Sequence, residues 1–181
     1  MDWPDNNDEN LLRAAGDGDY DKTLDCITKG ASLDYKDFFE STALHEASSK
    51  GHEKVVKLLL DQDANVNNKN CIGWTALHKA AFWGQEDIVR LLLDKRANIH
   101  ERDNVGSTAL HEAAGRGHEN VIKLLLSRGA NVNDKDNYGN LPLHWAVECG
   151  HENAVKLLLD MGANIHDKNN IGDTALHCAV S

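Results

Sequence analysis

Gly73-Trp74-Thr75-Ala76-Leu77-His78-Lys79-Ala80-Ala81-Phe82-Trp83-Gly84 is the stretch that decides how this chain folds. Its tetrad Thr-Ala-Leu-His, starting at Thr75, also starts at Thr42, Thr108 and Thr174, and a variant, Leu-Pro-Leu-His, starts at Leu141. Each start lies 33 residues after the one before. Self-similarity at a fixed period of this size marks a stack of one supersecondary unit. Activity must then sit where the units differ, because most positions are taken up by packing against neighbours.

The unit 70–102 shows why. Thr75 offers a hydroxyl to cap a helix, and Ala76 to Ala81 supply a short helix of small residues. Gly84 breaks the chain, since glycine takes turn conformations without steric cost. A second helix follows, with Ile88, Val89, Leu91, Leu92 and Leu93 on a wide apolar face and Glu86, Asp87, Arg90 and Asp94 outward. Glu86 and Asp87 lie in the first turn and Lys95 and Arg96 at the end, as the helix dipole favours. The rest reads as an extended arm with a tight turn at its tip. One helix pair of this size cannot bury its apolar face, so neighbours must supply the other half of the core.

The repeated motifs are Gly73-x-Thr75-Ala76-Leu77-His78-x-Ala80-Ala81 and Gly117-His118-x-x-Val121-Ile122-x-Leu124-Leu125-Leu126-x-x-Gly129-Ala130-Asn131-Val132-Asn133. This pattern resembles the ankyrin repeat over about residues 9–181. The resemblance implies an all-α repeat solenoid, with antiparallel helix pairs, projecting β-hairpin fingers and a concave groove. It also implies a protein-binding scaffold without catalytic chemistry. The expected units are an acidic, flexible start at 1–8, a cap at 9–36, repeats at 37–69, 70–102, 103–135 and 136–168, and a partial repeat at 169–181.

Departures from the pattern carry information. Leu11-Leu12-Arg13-Ala14-Ala15 replaces the tetrad in the first unit, whose second helix is more polar, as suits a solvent-facing cap. Asp63 and Arg96 hold the slot of Gly30, Gly129 and Gly162, where a positive φ would cost about 1 kcal/mol. Leu141 replaces a capping Thr, a loss of about 1 kcal/mol that Pro142 at the first helical position partly offsets. The sixth unit stops at Ser181 after its first helix, leaving Leu176 and Ala179 without the usual second one. The chain therefore reads as a piece of a longer array, or as one whose end another molecule covers.

Composition narrows the functional classes. Hydrophobic residues are 41% and charged residues 27%, ordinary for a globular chain. The net charge of −10 disfavours nucleic acid and anionic membranes and suits a partner with basic and apolar residues. No run approaches the roughly 20 apolar residues that span a bilayer, so no membrane insertion is expected. Cys26, Cys71, Cys149 and Cys178 form no CxxC pair, which disfavours a zinc site or disulfide framework. An intracellular, cytoplasmic setting and a monomer, with possible stacking at the partial repeat, are the expectations.

Chemical motifs fail one after another. All ten histidines fall on the repeat grid: His45, His78, His111, His144 and His177 in the tetrad, His52, His118 and His151 after the inter-helix glycine, and His100 and His166 in the arm. A catalytic histidine is normally an exception to a repeat, not a term in it. His45-Glu46 and His111-Glu112 lack the second histidine of a metalloprotease helix. Asp134-Lys135-Asp136-Asn137-Tyr138-Gly139 opens like a calcium loop, but Trp145 stands where its bidentate Glu must be. No catalytic residue, metal site or cofactor is expected.

Binding then falls to positions that packing leaves free: the fingertip before each Gly, the residue between that Gly and Thr, and the last two residues of the first helix. Six of the ten aromatics lie there: Phe38, Phe39, Trp74, Phe82, Trp83 and Tyr138. Large aromatics dominate interface hot spots. With Ile72 and Arg116 they are the candidate partner-binding residues, Trp83 and Phe39 foremost. The alternative is that the rings pack against neighbouring fingers and helices. Asp37, Glu40, Glu112 and Glu148 flank them and suit a partner carrying Lys or Arg beside an apolar anchor. Two further readings are an assembly segment of a longer array and a substrate of asparagine hydroxylases, for which the resemblance marks Asn67 and Asn133.

Overall fold

The computed structural model describes residues 6–178. Among them are eleven helices in chain order: α1 (Asn7–Asp17), α2 (Tyr20–Thr28), α3 (Ala43–Lys50), α4 (Glu53–Asp61), α5 (Ala76–Phe82), α6 (Glu86–Asp94), α7 (Ala109–Gly115), α8 (Glu119–Ser127), α9 (Pro142–Glu148), α10 (Glu152–Asp160) and α11 (Ala175–Cys178). The first helix begins at Asn7, within the segment read as the acidic start, and Asn6 caps it by accepting the Asp8 N–H. Odd-numbered helices stack on one another in one layer and α2 to α10 in a second.

Packing follows the repeat. Leu44, Leu77, Leu110 and Leu143 of the first layer are buried, as are Val56, Val89 and Ile122 of the second. The corresponding Leu176 is 68% exposed, and Val155 is only half-buried. No further helix covers them among the described residues, and Ala179 and Ser181 lie outside that range. Glycine is demanded where the first layer turns into the second: a Cβ on Gly117, at φ 70°, would stand 2.7 Å from the His151 ring.

The tetrad histidines hold the layers in register. The Nδ1 of His45 accepts the Thr42 N–H at 3.1 Å, so its proton sits on Nε2, which donates to the Trp74 carbonyl at 2.9 Å. His78 links Thr75 to the Ser107 carbonyl in the same way, and His111 links Thr108 to that of Asn140. At Leu141 the hydroxyl is gone, yet its N–H still reaches His144 Nδ1 at 3.1 Å and Pro142 opens the helix. The missing cap thus costs one contact, not the whole arrangement. His52, His118 and His151 form a second row, donating to the carbonyls of Gly16, Phe82 and Gly115. Burial drives the pKa of His45 and His78 down to about 4, and His111 in the same direction.

The fingers are hydrogen-bonded turns without β-strands among the described residues, where pairing amounts to one isolated bridge, Lys168 with Thr174. The Asn70 N–H meets the Trp74 carbonyl, and Asp103 meets Ser107 likewise. Neighbouring tips are then joined to each other: Cys71 donates to Phe39, Asn104 to Ile72, Asn137 to Val105 and Asn170 to Tyr138. A parallel row of basic side chains donates to backbone carbonyls one repeat on, Lys36 to Lys69, Lys69 to Arg102, Arg102 to Lys135 and Lys135 to Lys168. Asp63 and Arg96 do adopt positive φ, 63° and 65°. Glu40 joins them at 58°, in a fingertip slot that Gly73, Gly106, Gly139 and Gly172 fill elsewhere.

Candidate interaction surface

Because successive tips are bonded backbone to backbone, the residue ahead of each tip turn recurs at one place on the edge of the stack. That residue is Phe39, Ile72, Val105, Tyr138 and Ile171 in turn, and all five side chains are exposed. Phe38, beside the first, is 93% exposed and meets Phe39 edge-on at 5.4 Å. The result is an apolar line along the fingertips. Val105 and Ile171 were not among the aromatic-led candidates. The signal for them was present in the sequence, since every one of these five slots is apolar while flanking slots change character.

A second group forms at the end of α5. Phe82 lies 5.1 Å from Trp74 and 5.2 Å from Trp83, so the three rings of this repeat converge as their positions imply. They are not equally free. Trp83 is 57% exposed, whereas Trp74 and Phe82 are half-buried. The Trp74 indole donates to Asp103 Oδ2 at 3.0 Å, and Arg116 lays its guanidinium 3.9 Å from the centre of the Phe82 ring. Trp74 is engaged across the repeat boundary, whereas Trp83 projects outward. Trp145 is used in packing, 5.7 Å from the His111 ring with its indole N–H on Asp136.

Electrostatics single out one acid. Glu112, on α7 directly after His111, is 4% exposed and accepts no hydrogen bond or ion pair among the described residues. Burial, with the Asp103 charge adding to it, pushes its carboxyl up to about 8 against a partial pull from Arg116. In the same slot one repeat earlier, Lys79 lies 3.8 Å from Glu46 of the repeat before it.

Asn67 and Asn133 have structural work in the arms. Asn67 Oδ1 accepts the Asn98 N–H and Asn133 Oδ1 that of Asn164, both at 2.9 Å. These bonds tie each arm to the next. Cys71 and Cys149 are exposed and Cys26 is buried, which raises its thiol pKa.

The chain matches the family model described as ankyrin repeats (3 copies) over residues 11–103 and again over 95–169. It belongs to the ankyrin-repeat family. Ankyrin repeats are generally protein-interaction modules, and the fold is typically non-catalytic. One curated relative, serine/threonine-protein kinase 12 of Arabidopsis thaliana, is 38% identical over 60 residues. That stretch is 33% of this chain and 13% of the relative, far less than two thirds of the relative's length. No helix among the described residues of this ankyrin-repeat chain is long and apolar enough to cross a membrane.

Proposed function

We propose that this ankyrin-repeat chain is a non-catalytic binding module whose protein partner lies along the fingertip line and the Trp74–Phe82–Trp83 group. The observation that carries this reading is the set of five apolar side chains exposed at one repeating position, Phe39 to Ile171. A contiguous apolar surface that stays wet is costly unless something covers it. Trp83 and Phe39 supply anchors, while Ile72, Tyr138 and Arg116 complete the contact. The acidic balance of −10 favours a partner that offers basic residues next to its apolar ones.

The test compares Trp83→Ala and Phe39→Ala with the parent in quantitative capture from an extract of the source cells. Loss of an anchor is expected to cost about 2 kcal/mol, roughly a 30-fold fall in affinity. The melting temperature should barely move, because both side chains are already exposed. Unchanged capture, or a large fall in melting temperature, would assign these rings to packing.

A further inference from the structure

The fingertip line has a period as well as a composition. Each tip is tied to the next by the same backbone bond: Cys71 donates to Phe39 at 3.0 Å, Asn104 to Ile72 at 3.1 Å, and Asn137 to Val105 and Asn170 to Tyr138 at 2.9 Å. Identical bonds make identical steps. One such bond plus one residue of chain lets successive apolar Cα atoms stand no more than about 11 Å apart. The first-layer helices behind the tips stack directly on one another, which sets the step at about 8–10 Å. From Phe39 to Ile171 the line therefore runs roughly 32–40 Å.

A partner backbone that meets every tip must return to one face at that step. An extended strand does not, because its same-face residues recur every ~6.7 Å and fall between the tips. It would also find no free edge, since the tip N–H and C=O groups between Phe39 and Asn170 are already bonded to each other. An α-helix returns to one face every seven residues, ~10.5 Å, and drifts by about 20° each time. A polyproline II helix has three residues per turn and a rise of ~3.1 Å, so every third side chain regains the same face at ~9.3 Å without drift. That value falls inside the step the stack imposes, and such a backbone needs no sheet edge to pair with.

Charge around the tips adds a second requirement. Asp37, Asp103 and Asp136 each accept two backbone N–H groups of their own finger, from Phe39 and Ser41, Val105 and Ser107, and Tyr138 and Asn140 in turn. None of the three forms an ion pair among the described residues. Three carboxylates thus hold the turns beside Phe39, Val105 and Tyr138 with no cation set against them.

We propose that the fingertip line receives a polyproline II segment of a protein partner, with an apolar residue at every third position and basic residues between. The exposed rings of Phe38, Phe39 and Tyr138 suit proline as one of its residues. The aspartates favour Lys or Arg at the intervening positions. This rests on the binding reading above and gives the partner's backbone form and its repeat.

The probe is a blocked, fluorescein-labelled peptide of five Leu-Pro-Arg units, in which leucine falls at every third residue. One control has the same composition with its leucines alternately two and four residues apart. The other is a helix-forming peptide of equal net charge with leucine at every seventh position. Fluorescence anisotropy at constant ionic strength gives the affinities. The period-three peptide should bind at least tenfold tighter than either control. Val105→Ser and Ile171→Ser should each weaken it at least threefold with the melting temperature preserved, because both side chains are exposed. Equal binding of the period-three and rearranged peptides, tighter binding of the heptad helix, no binding of any peptide, or indifference to both substitutions would each overturn the match. If the periodic peptide fails while capture still depends on Trp83 and Phe39, the binding surface stands and only the form of its partner is wrong. If those two substitutions leave capture unchanged, the surface itself falls.

Discussion

Acid should weaken this protein between pH 6.5 and 4, and replacing Glu112 by Gln should steepen the weakening by about 1 kcal/mol per pH unit. Two sets of groups oppose each other in that window. His45 and His78 are buried with Nδ1 occupied by a backbone N–H, so the fold resists charging them until about pH 4, whereas in the unfolded chain they charge near 6.5. Their folded pKa is depressed, so the stability they confer is whole above 6.5 and is lost as the pH falls toward 4. Glu112 works in the other direction. The fold keeps its proton up to about 8 while the unfolded chain releases it above 4.5. Its contribution is thus whole below 4.5 and fades as the pH rises through 8. Each proton taken up differently by the two states is worth about 1.4 kcal/mol per pH unit. Near pH 5.5 the two imidazoles together give a loss of ~2.4 kcal/mol per unit, and Glu112 offsets ~1.2 of it. From these three groups alone the parent loses about 1 kcal/mol per unit and Glu112→Gln about 2. His111, shifted the same way as the other two, adds equally to both slopes. Urea midpoints by circular dichroism at pH 6.0, 5.5 and 5.0 measure this, and any constant effect of the substitution drops out of the slope. A parent that gains stability on acidification would refute the account of the imidazoles. Equal slopes in the two proteins would refute a protonated Glu112.

Two stability changes are expected from single slots in the repeat. Ser48 lies on α3 where α5 and α7 carry Ala81 and Ala114; it is fully buried and its hydroxyl is unpartnered. Ser48→Ala should therefore raise stability by about 1–2 kcal/mol, because the burial cost of the hydroxyl disappears without leaving a hole. The shift is a rise of a few degrees in melting temperature, and a fall would show that the hydroxyl has a backbone partner. Arg96→Gly should stabilise by about 0.5 kcal/mol, since relief of positive φ outweighs the extra freedom of glycine in the unfolded chain. Asp63→Gly should be close to neutral, aspartate tolerating the left-handed region better than arginine. A gain at Asp63 larger than at Arg96 in chemical unfolding would sink this reasoning.

The layers and core were legible in the sequence because period, helix length and apolar face all recur together. Every tetrad leucine through Leu143 is buried, and the positive φ at Asp63 and Arg96 follows from the glycines in their slot. The interaction surface was legible mainly where aromatic size drew attention, with Ile72 and Arg116 beside the rings. Ile171 is as exposed as the fingertip aromatics, but one aliphatic residue near a turn carries no weight alone. It gains weight when backbone bonds from Cys71 to Phe39 and onward tie the tips into one line. The engagement of Trp74 was out of reach for a different reason. Its partner, Asp103, is 29 residues away on the next finger, and only the stacking distance decides which side chains meet.

Glu112 shows what the repeat adds to such an argument. The slot after the tetrad histidine holds Glu46, Lys79, Glu112 and Trp145 in turn. Lys79 turns toward Glu46, and Trp145 packs on His111 and bonds Asp136. Each of these three side chains uses its neighbours to satisfy its own chemistry. Glu112 stands between a lysine committed elsewhere and an indole committed elsewhere, and Arg116, just past the end of its helix, stacks on Phe82. In a stack whose backbones repeat, the burial of Glu112 traces to the side chains around it and not to the shared fold. The raised carboxyl pKa follows from side chains particular to this repeat, which is why the pH test above turns on Glu112.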